Sequence, residues 1–170
     1  MRQAAPDTSP AMCDSELRRL VGYNIQRAHS AVMGAVNRVL TPFGLRRASY
    51  SVLSVVVETP GLRQADVADV LAIERPNLVQ IVDALERAGW ITRRRAEDDG
   101  RAYELHPTLA GRAHYTEARG ALVAFDGKLT AGLDEPAVWA LIDGLNAVEA
   151  AGPEAEAEDK EEARRGVQTP

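Results

Sequence analysis

Residues 62–111 read LRQADVADVLAIERPNLVQIVDALERAGWITRRRAEDDGRAYELHPTLAG, and this stretch decides the fold. Its first part, Gln64 to Leu71, sets apolar Val67 and Leu71 beside a small Ala68, the size of residue that lets a second helix cross closely. Ile73 then marks a tight turn. From Arg75 to Ala88, Leu78, Ile81, Val82 and Leu85 fall at i, i+3, i+4 and i+7, a single buried stripe. Pro76 stands in the first turn, where its missing N–H costs nothing, and Gly89 closes the helix. Two short helices joined in this way form a helix-turn-helix.

The same stripe turns Arg75, Asn77, Gln80, Ala84 and Arg87 outward. Arginine suits the acceptor edge of guanine, and Asn and Gln suit adenine, while Pro76 and Val79 can meet thymine methyls. After Gly89 the pattern changes. Trp90 to Arg95 and Arg101 to His106 flank Glu97-Asp98-Asp99-Gly100, two short runs around an Asp-Gly pair, which predicts a β-hairpin. A hairpin too short to stand alone, fused behind a helix-turn-helix, is a wing. Its arginines, Arg93, Arg94, Arg95 and Arg101, are placed to lie along phosphates or enter a minor groove, with one acid orienting Arg101. The alternative is a hairpin whose arginines pair with Glu97, Asp98 and Asp99.

Outward from this module the chain is helical. Leu17, Leu20, Val21, Ile25, Ala28, Val32, Val36, Val39 and Leu40 recur at helical spacing, predicting a long amphipathic helix over about 15–41. A second helix is expected from Arg47 to Glu58, ending before Pro60 and Gly61. Beyond the hairpin, Thr108 is a good N-cap for a helix reaching about Ala131, and a last helix runs from about Asp134 to Ala150 with Pro136 in its first turn. The expected architecture is mainly α: a winged helix-turn-helix at 47–107 with a two-stranded hairpin wing, and terminal helices at 15–41 and 108–150. Residues 1–13 read as a loose arm. Residues 151–170, poor in large apolar side chains, read as an acidic disordered tail.

With 170 residues, 45% of them hydrophobic, the chain suits one domain with tails. The longest run without a charged residue is ten, at Ala28 to Asn37 and again at Ala48 to Val57, far below a membrane span of roughly 20 residues. No secretory signal opens the chain, so the protein is expected to be cytoplasmic. A net charge of -5 argues at first sight against a polyanionic partner. Most of that acidity, however, sits at the end: residues 149–170 hold seven acids and three bases, leaving residues 1–148 at -1 with the arginines clustered on the wing. Local field governs docking on phosphates.

The segments Pro42-Phe43-Gly44-Leu45, Tyr50-Ser51-Val52-Leu53, Ala68-Asp69-Val70-Leu71 and Val82-Asp83-Ala84-Leu85-Glu86-Arg87-Ala88-Gly89-Trp90-Ile91, followed by Asp99-Gly100-Arg101 and the pair Thr108 and Gly111, resemble the MarR family of transcriptional regulators from about Leu17 to Val148. The resemblance implies a homodimer, formed by the first helix and the last two, that reads a pseudo-palindromic double-stranded DNA operator. It also implies reading positions at Arg75, Pro76, Asn77, Val79 and Gln80, a wing arginine at Arg101 and its orienting acid at Asp99. Independently, two-fold symmetry matches inverted half-sites, and Leu122, Phe125, Leu129, Leu133, Leu141 and Leu145 offer a seam. Val79 replaces a residue that is often polar in the family, and Arg46-Arg47 replace a usual Thr-Pro, so neither operator nor ligand transfers by analogy.

Family members are commonly released from DNA by a small molecule. The polar candidates here are Tyr23, Arg27, His29, Arg46 and Tyr50, suited to an aromatic carboxylate or a coenzyme A thioester. A thiol switch at Cys13, the only cysteine, is a rival mechanism, as is a winged helix that binds protein rather than DNA. The three histidines show no metal-ligand spacing, and neither a Gly-rich phosphate loop nor a nucleophile motif is present, so no catalysis and no cofactor are expected.

Overall fold

The computed structural model describes residues 14–96 and 102–166, with side chains as far as Pro153. The arm at 1–13, Cys13, Asp99 and Arg101 lie outside the described residues. The order of elements is α1 (Val21–Leu40), α2 (Arg47–Glu58), β1 (Leu62–Arg63), α3 (Gln64–Val70), α4 (Arg75–Arg87), β2 (Ile91–Arg95), β3 (Tyr103–Pro107), α5 (Leu109–Leu129) and α6 (Glu135–Gly166). They form two compact units, one up to Leu122 and one from Val123 onward. The fold is mainly helical, as the sequence predicts.

In the first unit the core is aliphatic. Leu40, Val52, Leu53, Val56, Val67, Leu105 and Ala118 are all fully sealed, and Leu78, Val82 and Leu85 supply the α4 stripe predicted from spacing. Ala68 is 2% exposed, so the small residue lies where α3 packs closely. Two starts are capped by side chains in the absence of Ser or Thr at the cap itself. Ser49 Oγ accepts from the Arg46 N–H at 2.9 Å, and Asp66 Oδ2 from the Arg63 N–H at 3.0 Å. Helix α1 begins later than expected. Leu17–Arg19 form a separate 3-10 turn, divided from α1 by extended backbone at Leu20 (φ -91°, ψ 127°).

The turn between α3 and α4 holds Ala72 at φ 49°. Left-handed backbone costs a residue with a Cβ about 1–2 kcal/mol, partly offset by the greater freedom of glycine in the unfolded chain. Ala72→Gly is therefore expected to stabilise the fold by roughly 0.5–1 kcal/mol in a urea titration. A loss of stability would show that the turn carries no such strain.

Two features go beyond or against expectation. The predicted hairpin is present as β2 and β3, and a third strand joins it: β1 pairs with the outer edge of β3, giving an antiparallel sheet of order β1-β3-β2, with Leu62 opposite Leu105 and Arg93 opposite Leu105 on the other side. A two-residue strand has no alternation to read, and the free edge of β3 recruits it. The acidic tail departs from expectation as well, because α6 continues past Ala150 and through Pro153 to Gly166. Apart from Asp159, residues 154–165 are all Ala, Glu, Lys or Arg, strong helix formers, and that propensity outweighs the missing apolar face.

The second unit consists of the end of α5 and all of α6. It leaves large apolar side chains uncovered, among them Trp139 at 58% exposure with Leu141, Ile142, Leu145 and Val148. Among the described residues no helix is long and apolar enough to cross a membrane.

Candidate nucleic-acid interface

Helix α4 divides cleanly. Leu78, Val82 and Leu85 are buried, whereas Arg75, Pro76, Asn77, Val79 and Gln80 are all exposed in its first two turns. Pro76 occupies the first turn, as its lack of an N–H requires. The outward row therefore presents a guanidinium, two amides and an exposed valine side chain, a mixture able to read hydrogen-bonding edges and methyl groups in a major groove. On one flank, Asn77 and Gln80 line an open groove of about 490 Å³ together with Arg46, Ser49, Ile81 and Trp90.

The wing arginines are not equivalent. Arg94 and Arg95 are exposed on β2, whereas Arg93 turns back onto α4. Its guanidinium forks between the carboxylates of Asp83 and Glu86, its backbone N–H donates to Glu86 Oε1 at 3.1 Å, and its side chain is only 22% exposed. Arg93 is thus engaged by two carboxylates within the chain. The alternation of a strand puts Arg94 on the opposite face, where it pairs in register with Glu104, and a groove of about 460 Å³ there gathers Arg63, Arg94, Arg95, Glu104 and His106. His106 Nε2 lies 3.2 Å from Glu104 Oε2.

The five effector candidates do not converge within the chain. Tyr23 and Arg27, one turn apart on α1, do meet: the guanidinium donates to the phenol oxygen at 3.4 Å, and the phenol donates to Asp14 Oδ2 at 2.8 Å. These two line a surface hollow with Gln26, Ser30 and Ala31. Arg46 opens instead on the groove beside α4, and His29 is exposed on α1. Tyr50 stacks on Tyr115 of α5 at 5.8 Å between ring centres. Burial, then the Tyr115 phenol, push the Tyr50 phenol up to about 12, so it stays a neutral donor.

Three residues join α5 to the end of α4. The Thr108 hydroxyl caps α5, accepting from the Gly111 N–H at 2.9 Å and donating to the Gly89 carbonyl at 2.6 Å. Gly111 passes directly over the Trp90 carbonyl. His114, singled out by no motif, stacks on Trp90 at 4.0 Å while its Nε2 lies 2.8 Å from the Phe43 carbonyl. Helix α4 is therefore anchored at its C-terminal corner.

The model of the MarR family matches residues 43–102, which span α2, the helix-turn-helix and the first wing strand. A MarR-family transcriptional regulator from a Rhodococcus species is 30% identical, with a TM-score of 0.70 over 82% of this chain and 96% of that one. The chain belongs to the MarR family. It is accordingly a transcriptional regulator of the MarR type and not an enzyme. The transcriptional repressor CouR bound to a 23-mer DNA duplex is 32% identical with a TM-score of 0.76, covering 81% of this chain and 98% of that one. CouR from Rhodococcus jostii bound to p-coumaroyl-CoA aligns at 32% identity and a TM-score of 0.71, over 78% and 93% of the two chains. Among curated relatives, an HTH-type transcriptional repressor of Mycobacterium tuberculosis is 27% identical over 116 residues, 68% of this chain and 84% of the relative. A Thauera aromatica protein named for transcriptional regulation of the hcr operon is 32% identical over 92 residues, and the match spans 55% of its length.

Proposed function

We propose that this MarR-type chain is a homodimeric DNA-binding repressor that reads a pseudo-palindromic operator through α4 and is released by an aromatic carboxylate or its coenzyme A thioester. One observation carries the reading: the exposed row Arg75, Pro76, Asn77, Val79 and Gln80 stands over a sealed stripe, on a helix held at its far corner by α5. Arg94 and Arg95, exposed on the first wing strand, supply cations for phosphates. The uncovered apolar residues of the second unit favour a second copy of the chain as partner. CouR, similar over nearly its whole length, has been seen with a DNA duplex and with p-coumaroyl-CoA, which supports both operator binding and thioester release.

Band shift of DNA upstream of its own and neighbouring genes, at several salt concentrations, tests the reading. Affinity is expected to fall steeply with salt and to depend on sequence. Arg94→Ala should lower the salt slope by about 0.9 for each phosphate it no longer neutralises, hence about twice that in a dimer, while weakening all sequences alike. Affinity indifferent to both salt and sequence would overturn the DNA reading. Titration of the complex with p-coumaroyl-CoA and with the free acid is expected to release the DNA, and release by neither would overturn the effector reading.

A further inference from the structure

Helix α4 carries two acids on the side that it would turn to DNA. Asp83 lies three residues beyond Gln80 and seven beyond Pro76, so it continues the same outward row, and Glu86 follows three residues later. Their side chains are 49% and 36% exposed. Two free carboxylates there would face phosphates, a repulsion that a DNA-reading helix has to remove. Among the described residues, Arg93 supplies the cation that bridges both.

We propose that Arg93 is a positioning and charge-masking residue: it neutralises Asp83 and Glu86 on the DNA side of α4 and ties the first wing strand to the recognition helix, so that helix and wing dock as one body. The proposal rests on the DNA-binding reading of α4. A guanidinium suits the task because its planar fork can hold two carboxylates at once, which an ammonium cannot do with equal geometry. The tie is doubled by the Arg93 backbone N–H on Glu86 Oε1, an acceptor that glutamine would retain.

A phosphate contact and a mask predict different outcomes when the acids are also neutralised. Arg93→Met, which keeps the apolar stem, is expected to lose about tenfold or more in operator affinity. Adding Asp83→Asn and Glu86→Gln to it should recover most of that loss, whereas the same pair in the wild-type background should change affinity far less. If the pair raised affinity equally in both backgrounds, or failed to rescue Arg93→Met, the masking role would be overturned. Wild-type protein that bound no DNA would instead overturn the reading beneath it. Circular dichroism of each variant reports folding; should Arg93→Met not fold, Arg93→Lys carries the test. It is expected to lose a few-fold in affinity and to regain it when one of the two carboxylates is neutralised, and absence of that gain would again overturn the proposal.

Discussion

Gly111→Ala is expected to lower the stability of the fold by about 3 kcal/mol or more, with a fall in Tm of roughly 10 °C. A Cβ built on Gly111 would sit 1.8 Å from the Trp90 carbonyl oxygen, 2.7 Å from its carbon and 3.0 Å from its Cα. All three are backbone atoms, so no side chain can swing aside to make room. The first turn of α5 would have to lift off the corner between α4 and β2, breaking the Thr108 hydroxyl contact with Gly89 and the close stacking of His114 on Trp90. Overpacking a core normally costs about 1–3 kcal/mol because neighbours relax. Here the neighbour is fixed, and the upper end or beyond applies. The same helix provides its own control, since nothing lies within 4 Å of a Cβ at Gly120. Gly120→Ala should be neutral or stabilising by about 0.5–1 kcal/mol through helix propensity alone. Chemical denaturation of the two variants checks the contrast, and equal effects would refute the close-approach argument.

How far the fold and the site can be read from the residues depends on the range of each interaction. Periodicity yields both the buried stripe and the outward row of α4, because both are properties of one helix. Thr108 and Gly111 are legible as a spaced pair, yet only the packing shows that Gly111 is there to let a carbonyl pass. The arginine run on β2 shows the limit. Alternation separates Arg94 from Arg93 and Arg95, but which face meets α4 is settled by Asp83 and Glu86, ten and seven residues back across a turn. Tyr23 and Arg27 lie one turn apart, so their meeting follows from helix geometry. The stacking of Tyr50 on Tyr115, and the bond from Tyr115 to Glu58 at 2.8 Å, join segments far apart in the chain and leave no local pattern. β1 escapes a reading of the residues for the opposite reason: it is local, but two residues are too few to alternate.

The second large effect is on discrimination rather than stability. Asn77→Ala combined with Gln80→Ala is expected to reduce specific operator affinity by about a hundredfold or more while leaving binding to unrelated DNA, and its salt slope, nearly unchanged. Each well-placed amide pairing with a base edge is worth about 1–3 kcal/mol of discrimination, and two-fold symmetry would count every substitution twice. Both residues are exposed, so truncation of their side chains should alter folding stability by no more than about 0.5 kcal/mol. That separation is what makes the variant informative. Arg94→Ala should do the reverse, weakening all sequences together and flattening the salt dependence. Asn77 and Gln80 also border the groove with Arg46 and Trp90, so a merely structural role would appear as a lowered Tm with discrimination intact. Uniform weakening across sequences would move both residues from base reading to backbone contact. Loss confined to the operator would fix the first two turns of α4 as the surface that reads it.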